Sequence, residues 1–171
     1  MPTLLRHASA EVFVDASTVD LTGESLYTEF EADWTATGLV DADPDGDGAR
    51  VVCGQEIGDI LVTAELWDGS PPPAADGWQD VAEVSVAWRS AFLDFGTTDG
   101  DDPAKRLELP GPGDYRLRVH GRNRDDGDPR EDDDPREEYL IQVWPAPRAE
   151  PVTVKSTSRT AALWRESTGC G

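Results

Sequence analysis

The chain has 171 residues and a formal net charge of -20, so it suits one domain with a real core and a strongly acidic surface. Its only lysines are Lys105 and Lys155, and most arginines sit among acids, which argues against nucleic acid or an anionic membrane as a direct ligand. The hydrophobic share of 37% is low, yet six tryptophans and several alternating runs call for a packed interior rather than disorder.

Residues 11–15, EVFVD, alternate and read as a first strand. Residues 22–33 read as either a short helix or an irregular strand. Asp41–Gly48, DADPDGDG, is a loop, and Arg50–Gly54 a short strand. Residues 59–67, DILVTAELW, place Ile60, Val62, Ala64 and Leu66 on one face. Ser70–Gly77 is a rigid loop, because its three prolines cannot donate ladder hydrogen bonds. Residues 81–88 form the next strand, and Ala91–Phe95 continue it after a bend. Gly96–Pro103 is an acidic turn and Lys105–Leu109 a short strand.

Pro110–Gly113, PGPG, is a strong turn signal. Residues 114–121 then alternate, with Tyr115, Leu117 and Val119 inward and Arg116, Arg118 and His120 outward. His120 reads as a solvent-exposed strand residue. Glu138–Trp144 is a further strand, with Tyr139, Ile141 and Val143 on one face. Val152–Val154 is an edge strand, followed by a flexible tail with Trp164. Short strands joined by Gly/Pro/Asp turns indicate an all-β fold. The expectation is a single antiparallel β-sandwich over residues 1–148, with a jelly-roll arrangement as one form of it and long acidic loops. Residues 149–171 add the edge strand and tail.

Between the last two core strands lies Asn123–Glu138, NRDDGDPREDDDPREE, with nine carboxylates and three arginines. It reads as an extended hairpin loop, longer than usual and therefore either functional or disordered. Asp125, Asp126, Asp128, Glu131, Asp132, Asp133 and Asp134 form a carboxylate array that would attract a basic protein. The neighbouring Arg116, Arg118, Arg122 and Arg124 read either as an anion site or as charge compensation by nearby acids, the latter being the more ordinary arrangement.

Asp41, Asp43, Asp45 and Asp47 alternate as in the start of a calcium loop, but the closing bidentate Glu is missing. A solvated acidic turn is the competing reading. Cofactors are otherwise not expected. Two histidines, His7 and His120, are too few for a histidine metal site. No G-x-S-x-G elbow or Gly-rich phosphate loop occurs, so an enzyme is not expected. With thirty-five acids, paired carboxylates carry no information about glycoside chemistry. Cys53 reads as a buried thiol and Cys170 as a free tail thiol, with a disulfide that ties down the tail as the alternative. With no apolar stretch long enough for a signal or a membrane span, a cytoplasmic protein is expected.

The residues Leu109-Pro110-Gly111-Pro112-Gly113-Asp114-Tyr115-Arg116-Leu117 and Glu138-Tyr139-Leu140-Ile141-Gln142-Val143-Trp144-Pro145 resemble a pattern in small uncharacterised bacterial proteins. They also resemble the C-terminal hairpin of the competence protein J family of nuclease inhibitors. That resemblance covers about a quarter of the chain and implies a β-rich fold and binding to a nuclease. The acidic insertion departs from the compact family hairpin. The resulting expectation is a non-catalytic acidic protein-binding domain, an inhibitor or immunity factor for a basic toxin or nuclease. A calcium-binding sandwich and an enzyme of other chemistry are the alternatives.

Overall fold

The structure is a computed structural model and describes residues 2–23, 31–43, 48–55, 57–72, 75–95, 103–125 and 137–166. Its strands are β1 (Leu4–Asp15), β2 (Thr18–Thr22), β3 (Val40–Ala42), β4 (Gly48–Val52), β5 (Ile57–Trp67) and β6 (Asp80–Trp88). They continue as β7 (Phe92–Asp94), β8 (Arg106–Glu108), β9 (Gly113–Arg122), β10 (Glu138–Pro145) and β11 (Val152–Ser156). One helix, α1 (Arg159–Glu166), follows. The fold is all-β in character, as the alternation predicts.

Two sheets form. The first runs in the order β11-β6-β9-β10-β5-β1. The hydrogen-bonded path then passes through β2 to β4 and β3, and β7 joins β2 to β8. The corner between β1 and β2 is tight. They share the single pair Asp15↔Thr18. Ala16 and Ser17 between them have φ of 63° and 67°. Two left-handed residues give the turn the twist that flanking strands need, although neither residue is the usual glycine or asparagine.

The alternating faces meet in one core. Val12 and Val14 of β1, Ile60, Val62 and Leu66 of β5, Leu117 and Val119 of β9 and Ile141 of β10 are all buried there. From the other sheet come Leu21, Val51, Leu93 and Leu107. β-branched and aromatic side chains suit this pleated surface. The PGPG turn before β9 is closed by Tyr115, whose hydroxyl donates to the Gly111 carbonyl at 2.6 Å.

Several expectations need correction, among them the loop reading of Asp41–Gly48, since Asp41 and Ala42 lie in β3 and Gly48 opens β4. First, the first sheet is not wholly antiparallel, because β10 pairs with β5 in parallel from Glu138↔Leu61 to Val143↔Leu66. Strands β6 to β9 intervene in the chain, so β10 reaches β5 by a crossover, which hairpin logic cannot foresee.

Second, the outward face of β9 is not solvent-exposed. Arg116, Arg118 and His120 keep only 5%, 4% and 0% exposure. The outer face of this sheet is roofed by two chain segments. Arg116 donates to the Ala149 and Glu150 carbonyls at 3.0 and 2.8 Å. Arg118 donates to the Pro71 carbonyl at 2.9 Å. The Trp78 ring lies 5.4 Å from the His120 ring. Burial lowers the His120 pKa, and its Nδ1 faces the Leu140 carbonyl at 3.1 Å.

Third, Trp164 is not in a frayed tail. It sits in α1 and meets Trp34 edge-on at 6.1 Å. Fourth, Phe92–Asp94 does not continue β6 but pairs with β8 and touches β2 at Thr22↔Asp94.

Candidate partner-binding surface

The β9–β10 hairpin forms as the sequence predicts, with Arg122 opposite Glu138. Of the seven proposed partner-binding acids, Asp125 is the only one within the described residues. Asp126, Asp128, Glu131, Asp132, Asp133 and Asp134 lie outside them. What the structure does show is the base from which this segment leaves and to which it returns.

The leaving point is built around Arg124, which is 1% exposed. Its Nη1 donates to Asp80 Oδ2 at 2.5 Å. Its Nη2 reaches the Gly38 and Val52 carbonyls at 3.1 and 2.8 Å. Its Nε donates to the Tyr139 hydroxyl at 3.2 Å. One guanidinium thus ties together the 34–38 turn, the end of β4, the start of β6 and the start of β10. Burial works against the charge, but Tyr139 and Asp80 outweigh it and raise the Arg124 pKa. Gly54 is required here, because a Cβ would stand 1.9 Å from the Arg124 carbonyl oxygen.

Asp80 completes the pair by accepting the Thr157 N–H at 2.9 Å and the Ser158 hydroxyl at 2.6 Å. Ser158 caps α1 by accepting the Ala161 N–H at 2.9 Å. Asp125 adds to the same cap. Its carboxylate accepts the Arg159 and Thr160 N–H groups at 3.0 and 2.9 Å and the Thr160 hydroxyl at 2.9 Å. Burial pushes this carboxyl up, yet these bonds and the Arg159 charge outweigh it and hold the pKa below the ordinary aspartate value.

The returning point is Glu137, which is fully buried. Its carboxylate accepts the Gly54 and Gln55 N–H groups at 2.8 and 3.0 Å, and the Tyr139 hydroxyl donates to it as well. Burial, then Glu137, drives the Cys53 thiol well above its usual pKa, so it stays protonated. Burial also raises Tyr139 well above its ordinary range.

The four arginines are all compensated by acids. Arg116 and Arg118 both pair with Glu83 on β6, at 3.2 and 2.9 Å. Arg122 pairs with Glu138 at 2.7 Å and stacks over Trp78 at 4.4 Å. Arg124 has Asp80. Compensation by neighbouring acids, rather than an open anion site, is what the strands build.

Asp41 and Asp43 line a cleft of about 300 Å³ with Ser85, Arg148 and Glu150. Asp41 accepts the Asp33 N–H at 2.7 Å, and burial raises its carboxyl pKa. Asp45 and Asp47 lie outside the described residues. Among the described residues no group of three or more His, Cys, Asp or Glu side chains is placed to hold a metal ion. No helix among them is long and apolar enough to cross a membrane.

The sequence missed Asp80, Glu137 and Tyr139 as a unit with Arg124. The readable signal was the stretch Ser156–Trp164, where a Ser/Thr run precedes Ala-Ala-Leu-Trp and marks a capped helix start.

No family model matches the chain, and no curated protein sequence does. Two solved structures share its fold. The crystal structure of ComJ from Bacillus subtilis, an inhibitor of the DNA-degrading activity of NucA, matches with a TM-score of 0.57 at 13% identity. The match covers 85% of this chain and 99% of ComJ. The structure of crocagin biosynthetic gene J matches with a TM-score of 0.50 at 17% identity, covering 83% of this chain and 98% of that one. At these identities the likeness is one of fold. The resemblance carried by the hairpin residues therefore extends across most of the chain.

Proposed function

We propose that this chain is a non-catalytic, cytoplasmic β-sandwich that binds a basic protein, acting as an inhibitor or immunity factor for a cationic nuclease or toxin. The observation that carries this reading is the ComJ-like fold in a chain of net charge -20. A nuclease active site presents positive charge to phosphates, and a carboxylate-rich inhibitor competes for that charge. Arg124, Asp80, Glu137 and Tyr139 face one another with at most 2% exposure, so they serve to hold the fold. The free, buried thiol of Cys53 is consistent with a reducing compartment.

The test is inhibition of DNA degradation by a panel of purified basic nucleases, NucA among them. Native chain is expected to inhibit at least one of them at low salt. Replacing Asp126, Asp128, Glu131, Asp132, Asp133 and Asp134 with their amides is expected to raise the half-inhibiting concentration at least tenfold. Asp125 is left in place because it caps α1. Inhibition of none of the panel, or inhibition untouched by the six amides, would contradict the reading.

A further inference from the structure

Outer-face burial of the first sheet is uneven. Over β9, Arg116, Arg118 and His120 are covered by Ser70 and Pro71, by Trp78, and by Ala149 and Glu150. At the far end of β1 and β5 the same face is open, and Phe13 stands 44% and Ile57 51% exposed. The register places them together. Phe13 is opposite Asp59, and Ile57 lies two residues along on the same face. Next comes Leu61, opposite Glu11 on one side and Glu138 on the other. Phe13, Ile57 and Leu61 therefore form an apolar strip interleaved with Glu11, Asp59 and Glu138.

This strip lies where the acid-rich segment is rooted. The Glu137 carbonyl, at the point of return, accepts the Leu61 N–H at 3.1 Å. Because the strip is carried on paired strands, its side chains are presented without the ordering cost that a loop would incur. An apolar centre with a charged rim is the composition of a protein-binding hot spot.

We propose that this strip is the docking surface for a basic protein, with Phe13 and Ile57 as apolar anchors and Glu11 and Asp59 as the acidic rim, Glu138 being already engaged by Arg122. The proposal rests on the reading that the chain inhibits a basic nuclease, and it names the face that does so. The occupant is a protein with an apolar recess edged by Lys or Arg. A second copy of this chain is disfavoured, since a two-fold contact would set the same acids against each other on two molecules of charge -20.

The experiment compares native chain, Phe13→Ala/Ile57→Ala and Val152→Ala/Val154→Ala in the same nuclease-inhibition assay. The last pair removes exposed apolar side chains from β11, at the opposite edge of the sheet. Circular dichroism melting checks that each variant is folded, which exposed positions should permit. The expected result is at least a roughly tenfold rise in half-inhibiting concentration for the Phe13/Ile57 pair, with the β11 pair unchanged. Equal loss in both pairs, or no loss in the Phe13/Ile57 pair while native chain inhibits, would overturn the docking face and leave the inhibitor reading standing. No inhibition by native chain would overturn both. Light scattering adds a further outcome: a dimer that the Phe13/Ile57 pair dissolves would replace the basic partner with a second copy.

Discussion

Asp125 opens the acid-rich segment in the sequence, but in the fold it belongs to the helix. Its carboxylate receives two backbone N–H groups and a hydroxyl from the first turn of α1, where the helix dipole also favours negative charge. Asp125→Ala is expected to cost about 1 kcal/mol, in the range of other lost caps, as measured by urea unfolding at neutral pH. The pH dependence has a definite sign. The folded-state pKa lies below the unfolded one, so the contribution is complete above the unfolded value of about 3.9 and is lost as pH falls through the folded value. The stability gap between native chain and variant should therefore narrow below about pH 4. A gap that widens there would refute the cap. Arg124, one residue earlier, is a different case. Its pairing with Asp80 is wholly buried, and removing one partner of such a pair costs more than any surface ion pair returns.

The β1–β2 corner is the clearest case of an element whose local sequence disagrees with its conformation. Ala16 and Ser17 both take left-handed backbone angles, at a cost of roughly 1–2 kcal/mol each for residues with a Cβ. Ala16→Asn combined with Ser17→Gly, the usual pair for such a turn, is expected to raise stability by about 1 kcal/mol and Tm by roughly 2–4 °C. Calorimetric scanning would show it, and a lowered Tm would mean that the corner is not held in this conformation.

That mismatch also explains why β2 was not legible. Asp-Ala-Ser-Thr carries no turn signature, so nothing in the local sequence marks a second strand at Thr18–Thr22. β5, β6, β9 and β10 were legible because their alternation separates core from outer face without help from the rest of the molecule. β3 was hidden because Asp41 and Ala42 sit at the head of an acidic run. The helix is eight residues long and buries only Ala161, too little for a 3.6-residue period to emerge. The burial of Arg116, Arg118 and His120 depends on segments dozens of residues away. So does the Arg124–Asp80 pair, which spans 44 positions. Such contacts follow from strand order, and strand order is not written in local pattern.

At the scale of the whole molecule the charge dominates. Arg116 and Arg118 share Glu83, Arg122 has Glu138 and Arg124 has Asp80, and the net charge of -20 remains as a field around the fold. The acid-rich segment is fastened at both ends, by the buried Arg124 and the half-exposed cap Asp125 on one side and by the buried Glu137 on the other. Its root adjoins the open apolar strip at Phe13 and Ile57. Long-range attraction would gather a cationic partner, and the strip would hold it once it arrived. These two contributions act on different rate constants, since steering changes association and desolvated contacts change dissociation.

The most direct measurement is therefore the association rate constant with an inhibited basic nuclease, followed by stopped-flow fluorescence as ionic strength rises from about 0.01 to 1 M, where the screening length falls from roughly 30 to 3 Å. The association rate is expected to fall by at least tenfold across that range while the dissociation rate changes little, and the six-amide variant is expected to show a flatter dependence. An association rate indifferent to salt, or equal in native chain and variant, would contradict the claim that this chain finds its partner through its acidic charge.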